Sequence, residues 1–209
     1  MKIFGIGMNY VQHTKELDAT LYKPEAPVVF TKADSALLKP GKPFFVPDHL
    51  GRIDYEGELV VRICRLGKSI PRRFAHRYYD AVTIGIDFTA RDMQRHARQK
   101  GLPWTICKGF DGSAAIGEWL ELEGRELKAE GGEQLCFRID LNGKTVQQAT
   151  TADMLYGVDE LIEYLSQFFT LKTGDLIYTG TPAGVGPVAV GDLIEGFIGN
   201  SKVLSVRCK

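Results

Sequence analysis

Apolar residues along this chain gather mainly in short runs bounded by turn residues, the pattern of strands joined by tight turns. Such runs predict strands at Lys2–Gly7, Val28–Thr31, Phe44–Val46, Leu59–Cys64, Ala81–Asp87, Trp119–Leu122, Leu135–Leu141, Asp175–Thr179, Leu193–Ile198 and Lys202–Arg207. Asn142-Gly143 predicts a hairpin, because both residues tolerate the positive φ of a type I′ turn. Gly199-Asn200 predicts the link between the last two strands. Helices are fewer. Val158, Leu161, Ile162, Leu165, Phe168 and Phe169 recur with helical spacing, one apolar face set to pack on a sheet. Arg91–Lys100 reads as a short polar helix stopped by Gly101, with Pro103 behind it. Asn9 is placed to cap a brief helix through Leu17, which sets His13 and Glu16 three apart on one face. Strands mostly not separated by helices point to an α+β, mainly β architecture and away from a Rossmann sheet.

Composition narrows the partners more than the fold. The chain has 209 residues, 44% hydrophobic and 25% charged, enough for one domain with a substantial core. No repeat or linker divides it. A formal net charge of zero gives no electrostatic reason to bind nucleic acid or an anionic membrane. No apolar run is long enough to span a bilayer. The four cysteines form no C-x-x-C, which argues against a disulfide framework and a thiolate zinc site. With an N-terminus that reads as a strand and not a signal peptide, a cytoplasmic location is the expectation.

The candidate chemistry is carboxylate chemistry. In Glu56-Gly57-Glu58, leading into a strand, the two acids share one face about 6.6 Å apart, with Gly57 pointing the other way and allowing close approach. Either one carboxyl protonates, or the pair shares a hard cation such as Mg²⁺, Mn²⁺ or Ca²⁺, or the segment is an edge strand with a charged solvent face. Asp87 leaves an apolar strand just before a helix; it can present two oxygens to a site or make an Asx turn with Thr89. Lys108 sits in a glycine-flanked turn, facing a cleft or solvent. Thr179-Gly-Thr181-Pro-Ala-Gly-Val-Gly186 lacks the G-K-[ST] ending of a phosphate loop, but offers N–H groups and hydroxyls able to cradle a carboxylate. His13 and Glu16 are spaced as a tuned general base, or as a surface pair.

Taken in order, these segments resemble the fumarylacetoacetate hydrolase family. The matching pieces are Asn9-Tyr10 with His13 and Glu16; Pro27 to Lys32 and Ser35; Tyr55-Glu56-Gly57-Glu58-Leu59; Gly85-Ile-Asp87 to Arg91-Asp92 and Gln94; Lys108-Gly-Phe-Asp111; Asp153-Met154; and Leu171 to Gly186. The resemblance implies a single catalytic domain over residues 1–209, a mixed β-sandwich roll, with residues 9–18 as a mobile lid and a homodimer as the assembly. It implies one Mg²⁺ or Mn²⁺, with Ca²⁺ able to take its place, on Glu56, Glu58 and Asp87. It implies His13, Glu16 and Lys108 as catalytic groups, and Lys32, Arg91, Gln94 and Thr181 as substrate contacts. Met8 stands where the family commonly has an arginine, so a cation that could meet a distal carboxylate is missing there.

The activity this resemblance implies is hydrolysis of the C3–C4 bond of acylpyruvates, small 2,4-dioxo acids, to pyruvate and a carboxylic acid. His13, oriented by Glu16, would activate the water. The alternatives are an oxaloacetate decarboxylase or tautomerase, a 2-hydroxy-dienoate isomerase, and a catalytically silent dimeric scaffold of the same fold.

Overall fold

The computed structural model of the chain describes residues 1–10, 24–124, 127 and 134–209. The expected helix from Asn9 to Leu17, most of the expected lid, and His13 and Glu16 with it lie outside the described residues. The Asn9 side chain is committed elsewhere. Its Nδ2 donates to the carbonyls of Thr179 and Tyr156, and its Oδ1 accepts the Tyr156 N–H.

An eight-stranded mixed sheet forms the larger layer. Its members are β1 (Ile3–Gly7), β2 (Val28–Lys32), β3 (Leu37–Leu38), β5 (Gly57–Ile63), β6 (Tyr79–Asp87), β8 (Ala114–Ile116), β9 (Leu120–Glu121) and β12 (Leu176–Tyr178). The order runs β2-β1-β12-β5-β6-β8-β3, with β9 also on β6. A three-stranded sheet joins β4 (Ile53–Tyr55), β7 (Thr89–Ala90) and β13 (Gly186–Pro187). The smaller layer is the antiparallel set β10 (Cys136–Leu141), β11 (Lys144–Thr150), β14 (Leu193–Ile198) and β15 (Ser201–Arg207), ordered β11-β10-β14-β15.

The layers meet face to face over an apolar core. Phe137, Ile139, Ile194, Leu204 and Val206 from the smaller sheet join Leu59, Ile84 and Ile86 from the larger in one buried cluster. Contact is close enough that Gly57 has no room for a side chain. A Cβ there would sit 2.2 Å from Ile139 Cγ1. The glycine between the two acids therefore admits the opposing sheet, not a ligand. This packing explains why the larger sheet carries near-continuous apolar runs in β5 and β6, both wholly or almost wholly buried.

Local signals placed several elements. Asn142 and Gly143 both have positive φ, 51° and 78°, as the hairpin between β10 and β11 requires. The helix Arg91–Lys100 ends at Gly101, left-handed at φ 65°, and the Leu102 N–H returns to the Ala97 carbonyl. The helix Val158–Phe168 buries Val158, Leu161, Ile162 and Leu165, and Glu160 accepts the Gly157 N–H at its start. Phe44–Val46 is not a strand. Phe44 makes one isolated parallel bridge to Cys208, and Val46 donates to Lys209, just beyond the end of β15. No helix among the described residues is long and apolar enough to cross a membrane.

Candidate active site

Backbone pairing, not local sequence, assembles the acidic cluster. The two chains Ile53–Ile63 and Tyr79–Ala90 run antiparallel and change sheets together, β4 with β7 and β5 with β6. At the change-over, the Asp87 N–H donates to the Glu56 carbonyl at 2.8 Å. Glu58 lies opposite Gly85 in the same ladder. Cross-strand neighbours are near each other whatever their distance in sequence. One carboxylate oxygen from each of Glu56, Glu58 and Asp87 falls within 4.8 Å of the others, and all three residues are buried.

Cations surround part of this cluster. Lys108, in the short helix Thr105–Gly109, places Nζ 2.7 Å from Glu56 Oε2, Asp87 Oδ2 and Thr89 Oγ1. Burial works against its charge, yet Asp87 and Glu56 outweigh burial and hold its pKa above the usual lysine value. Lys32, fully buried at the end of β2, approaches Asp87 from elsewhere, with Nζ 2.6 Å from Oδ1. It also donates to the Lys108 carbonyl and to Ser113. Burial dominates at Lys32 and lowers its pKa, with Asp87 offsetting only part. Arg91 bridges two acids. Nη2 lies 2.5 Å from Glu56 Oε1, Nε 2.8 Å from Asp54 Oδ2, and Nη1 2.5 Å from Gln94 Oε1. Asp54 is itself held by Arg52 at 2.6 Å.

Glu58 is the exception. It is 2% exposed, forms no ion pair among the described residues, and accepts one hydrogen bond, from Gly180 N–H at 2.7 Å. Burial, then the charges of Asp87 and Glu56, pushes its pKa well above the carboxylate range. A buried carboxylate so poorly compensated, converging with two others, fits a hard divalent cation, and an all-oxygen donor set suits Mg²⁺, Mn²⁺ or Ca²⁺. The loop after β12 serves this carboxylate. Gly180, at φ 102°, turns its N–H to Glu58, and a Cβ there would meet Asn9 Cβ at 2.8 Å. The predicted carboxylate cradle therefore holds one of the chain's own acids.

A pocket opens on the cluster. Glu56, Glu58, Lys108, Arg91, Gln94 and Thr181 give it a polar lining. Ile6, Val28, Phe30 and Trp104 supply apolar walls, and Met8 and Arg98 complete the lining. Lys32, expected to touch substrate, is sealed away from this lining and supports Asp87 and the Lys108 turn instead. Thr181 Oγ1 donates to the Gly57 carbonyl and accepts from Gln147 Nε2. Gln147, on β11, also accepts the Gly57 N–H at 2.9 Å and so ties the loop to the segment between the two glutamates. Asp54 and Gln147 escaped the sequence reading. A weak signal existed for each: Asp54 sits between Ile53 and Tyr55, and period-two alternation turns Gln147 inward with Ala149.

The fumarylacetoacetate (FAA) hydrolase C-terminal pattern matches residues 2–206. The chain belongs to the fumarylacetoacetate hydrolase family. It is 35% identical over 207 residues to the mitochondrial oxaloacetate tautomerase of Mus musculus, covering 99% of this chain and 90% of the relative. It is 37% identical over 195 residues to the mitochondrial oxaloacetate decarboxylase of Dictyostelium discoideum, covering 93% and 87%. Among solved structures it resembles fumarylpyruvate hydrolase from Pseudomonas aeruginosa in complex with Mn²⁺ and pyruvate. That match has a TM-score of 0.89 at 32% identity, over 100% of this chain and 89% of that one. Family membership makes the chain an enzyme related to tautomerases, decarboxylases and hydrolases of 2-oxo acids, and the silent-scaffold alternative falls away.

Proposed function

We propose that this chain is a divalent-metal-dependent enzyme acting on short dicarboxylic 2-oxo acids, with oxaloacetate keto–enol interconversion as its leading reaction. The carrying observation is the convergence of three carboxylates and the Lys108 ammonium, of which Glu56, Glu58 and Lys108 line a cavity of about 110 Å³. That volume is small against the roughly 300–1,000 Å³ of pockets for drug-sized ligands, and it suits a short acid.

A divalent ion on Glu56, Glu58 and Asp87 supplies Lewis acidity toward the carboxylate and keto oxygens of a 2-oxo acid. The chain's own groups do the rest. Lys108, kept protonated by Asp87 and Glu56, offers a fixed positive charge where negative charge develops on the 2-oxo oxygen. The apolar walls of Ile6, Val28, Phe30 and Trp104 exclude water and strengthen that interaction. Thr181, held by Gly57 and Gln147, presents a rigid loop at the rim. Tautomerisation, decarboxylation and C3–C4 cleavage all pass charge from C3 to that oxygen, so one floor can serve relatives named for each. Oxaloacetate and fumarylpyruvate, named for the relatives above, both carry a second carboxylate, which supports the dicarboxylic class.

A second reading, hydrolysis of acylpyruvates, is favoured by the His13 and Glu16 spacing, since cleavage needs an activated water and tautomerisation does not. One assay separates the two. Protein treated with chelator and reloaded with Mg²⁺ or Mn²⁺ is given enol oxaloacetate, acetylpyruvate and fumarylpyruvate. Metal-dependent loss of enol absorbance from oxaloacetate is the expected result. Cleavage of the acylpyruvates without action on oxaloacetate, abolished in His13→Ala, moves the assignment to the hydrolase. Activity on none of them overturns both. A homodimer is part of this proposal, checked by sedimentation.

A further inference from the structure

We infer that Arg98 accepts the second carboxylate of the substrate and so sets the preference of this pocket for diacids; this rests on the 2-oxo acid reading above. Three cationic side chains line the pocket: Arg91, Arg98 and Lys108. Arg91 is ion-paired with Asp54 and Glu56, and Lys108 with Glu56 and Asp87. Arg98 has no side-chain hydrogen bond or ion pair among the described residues, so its guanidinium is the lining cation left for a ligand anion.

Its place on the helix points the same way. Arg91, Gln94 and Arg98 fall at i, i+3 and i+7 of the helix Arg91–Lys100, one face of three successive turns. The first two are buried at the charged floor. At about 1.5 Å per residue, the Arg98 Cα lies roughly 10 Å beyond that of Arg91 along the axis, and helical side chains lean back toward the N-terminus. The guanidinium thus lies on the pocket lining no more than about two turns from Arg91, within reach of the far end of a short acid anchored on the carboxylate cluster. Met8 lines the same pocket and carries no charge. A guanidinium fork suits the task because it meets a carboxylate with two parallel hydrogen bonds. Arg95, one turn earlier, pairs with Asp92 and is absent from the lining, which is how a merely solvated arginine on this helix behaves.

The test uses length-matched acids that differ only in the far group. Oxaloacetate is compared with 2-oxobutyrate by initial-rate inhibition and KM, and 2-oxoglutarate with 2-oxovalerate by calorimetric titration, all on the Mn²⁺-loaded protein. The wild type is expected to favour the diacid by about tenfold or more in at least one pair. Arg98→Gln should remove that preference by weakening the diacid alone, leaving the monoacid within about twofold, and Arg98→Lys should retain part of it. Because Arg98 is exposed and has no pairing partner among the described residues, Arg98→Gln should melt within about 2 °C of the wild type. Absence of a diacid preference in both wild-type pairs, its survival in Arg98→Gln, or equal weakening of both acids overturns the assignment to Arg98 and leaves the 2-oxo acid reading standing. Failure of the Mn²⁺-loaded wild type to bind any of the four acids overturns that reading, and the role of Arg98 with it.

Discussion

The two glutamates that flank Gly57 occupy opposite electrostatic situations. Glu56 is matched on both oxygens, by Arg91 at 2.5 Å and Lys108 at 2.7 Å. Glu58, two residues on and also buried, has one backbone N–H among the described residues. A buried charge is tolerable when paired and expensive when not. One side of the site is therefore complete in protein atoms, while the other has a donor set that fits a divalent cation. The same asymmetry divides the lysines on Asp87: Lys108 faces the pocket with its charge secured, whereas Lys32 is enclosed with its charge weakened.

Neutralising each glutamate is the sharpest way to break this contrast. Glu58→Gln should cut metal-dependent turnover by about 100-fold or more, yet raise the melting temperature of chelator-treated protein, because no carboxyl is left there whose ionisation burial opposes. Glu56→Gln should also lose activity, but lower that melting temperature, since Arg91 and Lys108 each lose a partner. Shifts of the same sign would end the distinction.

The lysine pair comes next. Lys32→Met should cost about 3–5 kcal/mol in urea unfolding, the usual result of stripping one partner from a buried pair. Lys108→Met should cost at least as much stability, because its ammonium serves both Glu56 and Asp87 while burial already weakens the Lys32 charge, and should also lower kcat by about 100-fold. A loss of kcat in Lys32→Met as large as in Lys108→Met would mean that the two lysines do the same work.

Smaller, and specific to Glu58, is a pH effect. Its folded pKa is raised, so the favourable contribution of the protonated form is fully present below the unfolded value and is lost as pH climbs through the folded one. Chelator-treated protein should lose about 1.4 kcal/mol per unit of pKa elevation over that window. Saturating Mn²⁺ should flatten the loss, and Glu58→Gln should abolish it; urea midpoints across pH measure both.

The smallest effect concerns the sheet behind the glutamates. Gly57→Ala should cost about 1–3 kcal/mol by forcing its Cβ against Ile139. In a double-mutant cycle with Ile139→Ala, the combined loss should fall short of the sum, because the clash disappears with the isoleucine side chain.

Much of the frame was legible residue by residue. β14 at Leu193–Ile198, the helix Arg91–Lys100 with its Gly101 stop, and the Asn142-Gly143 hairpin lie where local pattern placed them. The short strands β3, β4, β7, β8 and β13, of two or three residues each, did not announce themselves, because pairing partners and not periodicity define them. For the site, spacing alone brought Glu56 and Glu58 to one face but left metal, proton and solvent as open answers.

Sequence by itself determined the quantities set within a few residues: strand and helix periods, turn conformations, and the i, i+2 disposition of two acids. Tertiary structure decided everything that depends on who sits across the ladder or beneath the sheet. It set Asp87 against Glu56, turned Lys32 inward and Lys108 toward the pocket on one carboxylate, brought Gln147 from the smaller sheet to Gly57, and left Arg98 at the pocket without a partner among the described residues. The physical reason is that local backbone preferences act over a few residues, whereas burial and charge pairing are settled by neighbours dozens of residues away, and only the closed fold names those neighbours.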